Sequence, residues 1–330
     1  MTQDLEISPF TGDHLDAAAR LLAQRQAGLR VLRPELPAAF TEAAGCRPLL
    51  AALLNREGSH GVVATRAGGM AAYLIGFPRQ ELIWGRACWS PIEGQAYDAS
   101  LGPDIMRDIY ASWSRHFVDR GFFRHYVHAP ADDPRLLDTW FTTGFGKMQA
   151  HAMRDLDLEP PADTSFSVRR VTPDDLDFIE PLLPLISTGL AKSAAYVITL
   201  PERYADFRRD YAEELANPLS HYWVAVEDGR AIGLAGFDPP DLSVMVPDGA
   251  FYLSDAKTDR EARGRGVARA LLAAAFAEAR AAGAHDCITD WRTASLPAHR
   301  AWTGLGFKPT DFRLHRHIDE RIAWAGGPPG

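Results

Sequence analysis

The chain has 330 residues, of which 46% are hydrophobic and 24% charged, and its formal net charge is −8. That length is about twice an ordinary domain, so two domains are expected, and the acidic balance excludes a nucleic-acid partner held by Lys and Arg on phosphate. Cys46, Cys88 and Cys287 are too few and too dispersed for a disulfide framework or a zinc cluster, and no His-x-x-x-His occurs, so no metal is expected.

In chain order, the sequence repeats itself. Thr11-Gly12-Asp13-His14-Leu15-Asp16 returns as Thr172-Pro173-Asp174-Asp175-Leu176-Asp177, a shift of 172 − 11 = 161. Each reads as a Thr-capped helix start behind a short strand, at 5–8 and 167–171. Val63 to Gly68 is answered by Val224 to Gly229, and both read as β-hairpins running on to Gly76-Phe77 and Gly236-Phe237. Trp140 and Gly144-Phe145 are answered by Trp302 and Gly306-Phe307, a shift of 302 − 140 = 162. One spacing across three landmarks means a duplicated α/β unit. The seam is Glu159-Pro160-Pro161-Ala162-Asp163-Thr164-Ser165, where prolines favour an extended spacer. The expected division is a first domain over 1–158, a linker over 159–165, a second domain over 166–322 and a flexible tail over 323–330.

The second half carries the most distinctive stretch. Residues 251–258 read as a strand, and 267–282 as a long Ala/Leu helix closed by Gly283. Between them lies Arg263-Gly264-Arg265-Gly266-Val267-Ala268. Glycines bare the backbone there, and the free amides of a helix N-terminus attract anions. Arg263 and Arg265 add charge that forks onto phosphate. A dinucleotide fingerprint needs glycine where Arg269 stands, and no Gly-Lys-Ser/Thr follows. The equivalent positions of the first half, 162 residues earlier, are Leu101, Pro103 and Asp104. Proline removes a donor and aspartate sets a carboxylate where an anion would sit. The first half is expected not to bind in the same way.

The hexamer, with Arg263, Gly266 and Ala268 in Arg/Gln-x-x-Gly-x-Gly/Ala spacing and Leu271-Leu272 behind it, resembles the acyl-CoA signature of the GNAT superfamily of N-acetyltransferases. The stretch from Ser295 through Trp302 to Gly306-Phe307 resembles that family's second landmark. The resemblance implies two tandem GNAT-like domains, each a mixed, mostly antiparallel α/β sheet flanked by helices, the first of them degenerate. It implies acetyl-CoA as co-substrate, bound by the backbone of Ala256, Lys257 and Thr258, by Arg263, Gly264, Arg265, Gly266, Val267 and Ala268, and by Ser295. Residues 286–292 would form the strand across the gap. The implied activity is acetyl transfer to a primary amine by direct attack.

For the catalytic base the residues leave three candidates open: Asp255, the carboxylate of its strand, Tyr252 and His299. Period-two alternation puts Tyr252, Ser254, Ala256 and Thr258 on one face and Asp255 and Lys257 on the other. Trp302 stands where the family carries a phenolic acid, and indole donates a hydrogen bond but is no comparable proton source. Asp290 and Trp291 could attract and stack on an ammonium. Arg208-Arg209 and Glu213-Glu214 read as a solvated helix face. The acceptor is expected to be a small-molecule or peptide amine, with neither membrane nor nucleic acid involved. No signal segment or membrane span is read, so the cytoplasm is expected. Two alternatives stay open, a noncatalytic acyl-CoA sensor and a transferase using a longer acyl-CoA. Oligomeric state is not readable.

Overall fold

The computed structural model describes residues 5–81, 83–162 and 164–325. The end of the expected tail, 326–330, and Asp163 of the expected linker lie outside the described residues.

The first half runs β1 (Leu5–Pro9), α1 (Leu15–Leu32), α2 (Ala43–Leu54), β2 (His60–Arg66), β3 (Gly69–Glu81), β4 (Gly85–Ser90), β5 (Gln95–Tyr97), α3 (Ile105–Val118), β6 (Arg124–Pro130), α4 (Pro134–Thr142) and β7 (Gly146–Asp155). The second runs β8 (Ser167–Arg170), α5 (Leu176–Ile179), α6 (Leu185–Ala191), α7 (Pro201–Ala216), β9 (His221–Glu227), β10 (Arg230–Asp238), β11 (Phe251–Thr258), α8 (Val267–Ala281), β12 (Asp286–Arg292), α9 (Leu296–Gly304) and β13 (Lys308–His317). The duplication holds in the spacing of the strands: β9 begins 221 − 60 = 161 residues after β2, and β13 begins 308 − 146 = 162 after β7. Both hairpins turn on two residues of positive φ, Ala67-Gly68 and Asp228-Gly229, the geometry that lets twisted strands pair tightly. Both Thr caps form the expected reciprocal box, Thr11 with His14 and Thr172 with Asp175.

Two compact units result. One gathers residues 5–149, 242–247 and 310–325, and the other 150–241 and 248–309. In the first the strand order is β1-β2-β3-β4-β6-β13, with β4 and β6 parallel and β13 antiparallel to β6 from Asp311↔Pro130 to His317↔Arg124. In the second it is β7-β12-β11-β10-β9-β8. The seam expected at 159–165 falls inside the second of these units. The closing strand of each half serves the other sheet, which is possible because β7 and β13 are copies of equal length.

The core of the first unit lies under α3 and α4, where Trp113, Phe117 and Trp140 pack on Val62, Leu74, Val127 and Leu314. In the second unit, helices cover both faces of the sheet. Tyr222, Val224 and Leu234 turn toward α5 to α7. α8 lies on the opposite face, its first residue so close to β10 that a Cβ on Gly233 would stand 2.5 Å from Val267 Cγ1. Phe237 meets Phe276 of α8 edge-on and stacks on Phe251 at 4.6 Å.

Candidate functional site

The α8 entrance is built from backbone. After β11 the chain makes a short 3-10 turn, Arg260–Ala262, capped by Asp259, and then bends through Gly264 (φ +76°) and Gly266 (φ +82°) into the helix. A left-handed conformation costs most residues roughly 1–2 kcal/mol, which is why glycine stands at both bends. The first helical bond is Ala270 NH to Gly266 O. Among the described residues, none accepts a hydrogen bond from the amides of 264–269. These donors carry the positive end of the helix dipole.

The two arginines differ. Arg263 is exposed, with only its Nε on a main-chain oxygen, that of Thr258 at 3.3 Å. Arg265 is spent on a carboxylate: its Nη1 meets Glu227 Oε2 at 2.9 Å, and Nη2 reaches Ser165 Oγ at 2.8 Å and the other Glu227 oxygen. That pairing lowers the Glu227 pKa. The seam is no bare spacer either. Pro161 lies against Gly266, 3.2 Å from where a Cβ would be, and with Leu158, Phe166, Ala270 and Ala273 it lines a groove along α8.

β11 then opens. Its parallel ladder with β12 holds for Phe251↔Cys287, Tyr252↔Ile288 and Leu253↔Thr289, and ends there. On its other edge, pairing with β10 steps from Phe237↔Leu253 to Gly236↔Asp255, so Ser254 is the extra residue of a β-bulge, its hydroxyl on Gly236 O at 3.2 Å. The strand that parts from β12 is the one carrying Ala256, Lys257 and Thr258.

The bulge corrects the expected alternation. Phe251 points toward α8, so Tyr252 points away from it. The inserted residue then shifts the phase, and Asp255 and Lys257 fall on the side of Tyr252, where α7 packs. There Tyr211 of α7 donates to Asp255 Oδ2 at 2.6 Å, Lys257 Nζ stands 2.8 Å from the same oxygen, and Lys257 also bonds the Tyr211 hydroxyl. The ammonium lies 4.6 Å from the Tyr211 ring centre. Lys257 is only 6% exposed. Burial, then the Asp255 charge, push the Tyr211 pKa upward. Beside this cluster Tyr222 donates to Glu214, whose carboxyl pKa is raised by burial. Glu214 therefore does not belong to the solvated face expected of α7, whereas Arg209 does, pairing with Asp206 and Asp210.

Across the fork, Tyr252 Oη donates to Asp290 Oδ1 at 2.8 Å, and Thr289 Oγ1 donates to Leu253 O at 3.0 Å. Two residues read separately as a base and a substrate contact are thus brought together. Trp291 is buried on the other face, its Nε1 without a hydrogen-bond partner, and packs on His299 at 6.1 Å. His299 itself is exposed on α9. Ser295 caps α9 by position, 7% exposed, with no cap bond from its hydroxyl. Trp302 is buried edge-on against Phe307 at 5.7 Å, as a packing residue.

The first half shows the same ground plan closed off. Asp104 stands at the start of α3 with its carboxylate 3.2 Å from Arg107. The strand equivalent to β11 is broken after Ser90 by Pro91 and a 3-10 turn, Ile92–Gly94, and resumes as β5. Gln95 of β5 donates its Nε2 to His128 O of β6 and accepts from Trp140 Nε1 at 3.2 Å, bridging the fork that stands open in the second half. Arg25 holds the break from the other side, on Ile92 O at 2.8 Å and Gln95 O at 2.6 Å.

A parallel strand pair that forks beside a glycine-rich helix entrance, present twice and blocked once, invites comparison with known proteins. Residues 192–307 match the model of the acetyltransferase (GNAT) family. The second half is thus similar to the GNAT family over those residues. Human N-acetyltransferase 8B is 29% identical over 113 residues, 34% of this chain and 48% of that protein, so the chain spans about half the length of the curated relatives it matches. Among solved structures, a GCN5-related N-acetyltransferase from Sphaerobacter thermophilus superposes with a TM-score of 0.58 at 17% identity, covering 96% of this chain and 97% of that one. A tandem GNAT protein from the clavulanic acid biosynthesis pathway superposes at 0.51 and 15% identity, covering 99% and 100%. These likenesses establish the doubled GNAT fold. Among the described residues, no helix is long and apolar enough to cross a membrane.

Tyr211 and Gln95 were not singled out from sequence, and Glu214 was read only as part of a solvated face. The positive φ at Gly264 and Gly266 was foreshadowed by the residue type. Nothing local marks Tyr211, whose partners are 44 and 46 residues away.

Proposed function

We propose that the second half of this chain binds acetyl-CoA and transfers its acetyl group to a primary amine by direct attack, on a small-molecule or peptide acceptor in the cytoplasm. The observation that supports this most is the pairing of two unsatisfied backbone surfaces, the α8 entrance amides and the β11 edge beyond Leu253, on either side of one turn. The diphosphate is met by the amides of 264–269 and by Arg263. The main chain of Ala256, Lys257 and Thr258 is left to pair with the pantetheine amides, and it offers NH groups near a developing oxyanion. Holding thioester and amine in one fork supplies the orientation that a bimolecular reaction lacks in solution.

Isothermal titration of acetyl-CoA, followed by thiol release with a panel of amines that includes glucosamine, spermidine and a free peptide N-terminus, tests this reading. Micromolar binding with turnover on at least one amine is expected, and absence of binding would overturn it. A second reading, acyl-CoA sensing without chemistry, is favoured by the burial of Trp302 against Phe307 where the family carries a phenol. Binding with no thiol release from any amine would decide for it. Succinyl- and longer-chain CoA in the same titration examine the choice of acyl group.

A further inference from the structure

We propose that Tyr252 and Asp290 form a proton-handling pair for acetyl transfer, a reading that rests on the function proposed above. The family's usual phenol on the last helix is absent, and the other candidates are engaged elsewhere. Asp255 faces Lys257 at 2.8 Å and Tyr211 at 2.6 Å, deep against α7, so its charge is already answered. His299 lies on the exposed side of α9 against the buried face of Trp291. At the mouth of the fork stands one phenol joined to one carboxylate. The 2.8 Å bond from Tyr252 Oη to Asp290 Oδ1 spans β11 and β12 at the last rungs of their ladder, on the face opposite α8.

The pair can serve both proton transfers of the reaction. The neutral amine attacks the thioester carbonyl carbon, forming the C–N bond, and the positively charged nitrogen of the adduct gives one proton to the Asp290 carboxylate. The C–S bond breaks, its electron pair leaves with sulfur, and Tyr252 supplies the proton that turns the thiolate into free thiol. The Asp290 carboxyl then returns its proton to the tyrosinate along the existing hydrogen bond. Amide and CoA thiol are the net products, and both side chains end as they began. No outside acid or base is consumed.

Thiol release from acetyl-CoA with hydroxylamine as nucleophile tests the pair, because a small nucleophile asks nothing of acceptor recognition. Tyr252→Phe and Asp290→Asn are each expected to lower kcat about 10²-fold, the scale of general acid–base catalysis, with the KM for acetyl-CoA unchanged. The double variant should fall no further than the single ones, as expected for two groups acting as a unit. Unchanged melting of each variant separates this from loss of fold. A wild type that turns over while Tyr252→Phe matches its kcat overturns the pair and leaves the transferase reading standing. A rise in the KM for acetyl-CoA at constant kcat also overturns the pair, by making these residues binding groups. A wild type that binds acetyl-CoA and leaves it intact overturns both.

Discussion

At the scale of single residues, the site separates charge that is free to meet a ligand from charge already matched. Arg263 and Arg265 look equivalent in the sequence, yet Arg265 is held by Glu227 and Ser165. Arg263→Ala is therefore expected to weaken acetyl-CoA binding about tenfold, the scale of one charge-assisted contact, and Arg265→Ala to weaken it less, a ranking that titration calorimetry checks. The Asp255–Lys257 pair makes the opposite kind of prediction. Removing one member of a buried pair strands the other and costs about 3–5 kcal/mol, whereas replacing both is much cheaper. Lys257→Met is expected to destabilise by that amount in urea unfolding, and Lys257→Met with Asp255→Asn to recover most of it. If the single variant cost as little as the double, the pair would not be buried charge against charge. This cluster was illegible beforehand because it depends on one inserted residue. Alternation counted straight through Ser254 puts Asp255 opposite Tyr252, and the bulge reverses that phase.

At the scale of elements, the helix entrance works because α8 sits hard against β10. Gly233 leaves room for Val267, the first residue of the helix. Gly233→Ala would push a methyl into that contact, an overpacking of about 1–3 kcal/mol, and would displace the amides proposed to receive the diphosphate. A lowered Tm together with weaker acetyl-CoA binding is expected, and unaltered binding would mean that the amides are not the contact. Glycine-rich loop, long helix and flanking strands were all readable in advance, since residue type alone dictates the positive φ and helix propensity. The fork was not, because where a parallel ladder ends depends on Thr289 and Leu253 meeting across 36 residues. Nor was its blocked counterpart, where Gln95, an unremarkable polar residue in sequence, fills the gap between β5 and β6.

At the scale of the whole molecule, duplication was plain in the spacing while the path of the closing strands was not. Copies related by 162 residues carry the same pattern, so the sequence assigns each strand to its own half, and only the sheet registers show β13 beside β6. A cut at the seam separates β13 from β6 and β7 from β12. Fragments 1–158 and 159–330 made together are expected to co-purify as a one-to-one complex. Made apart, each carries a closing strand that its own sheet does not use, and exchange between identical copies or aggregation is expected. Independent, monomeric halves of full stability by size-exclusion and thermal melting would contradict the exchange. The first unit also carries a pH signature of its own. Burial holds His60 and His125 down to about 4, with the ring of His116 stacked 3.8 Å from that of His60 and adding to its shift. A histidine whose folded pKa lies below its unfolded value near 6.5 stabilises the fold above that value and loses the contribution as pH falls toward 4. Stability should therefore decline across that interval, and His125→Gln, which keeps a polar partner for Tyr110 without a titrating ring, should flatten the decline measured by denaturant titration at successive pH values.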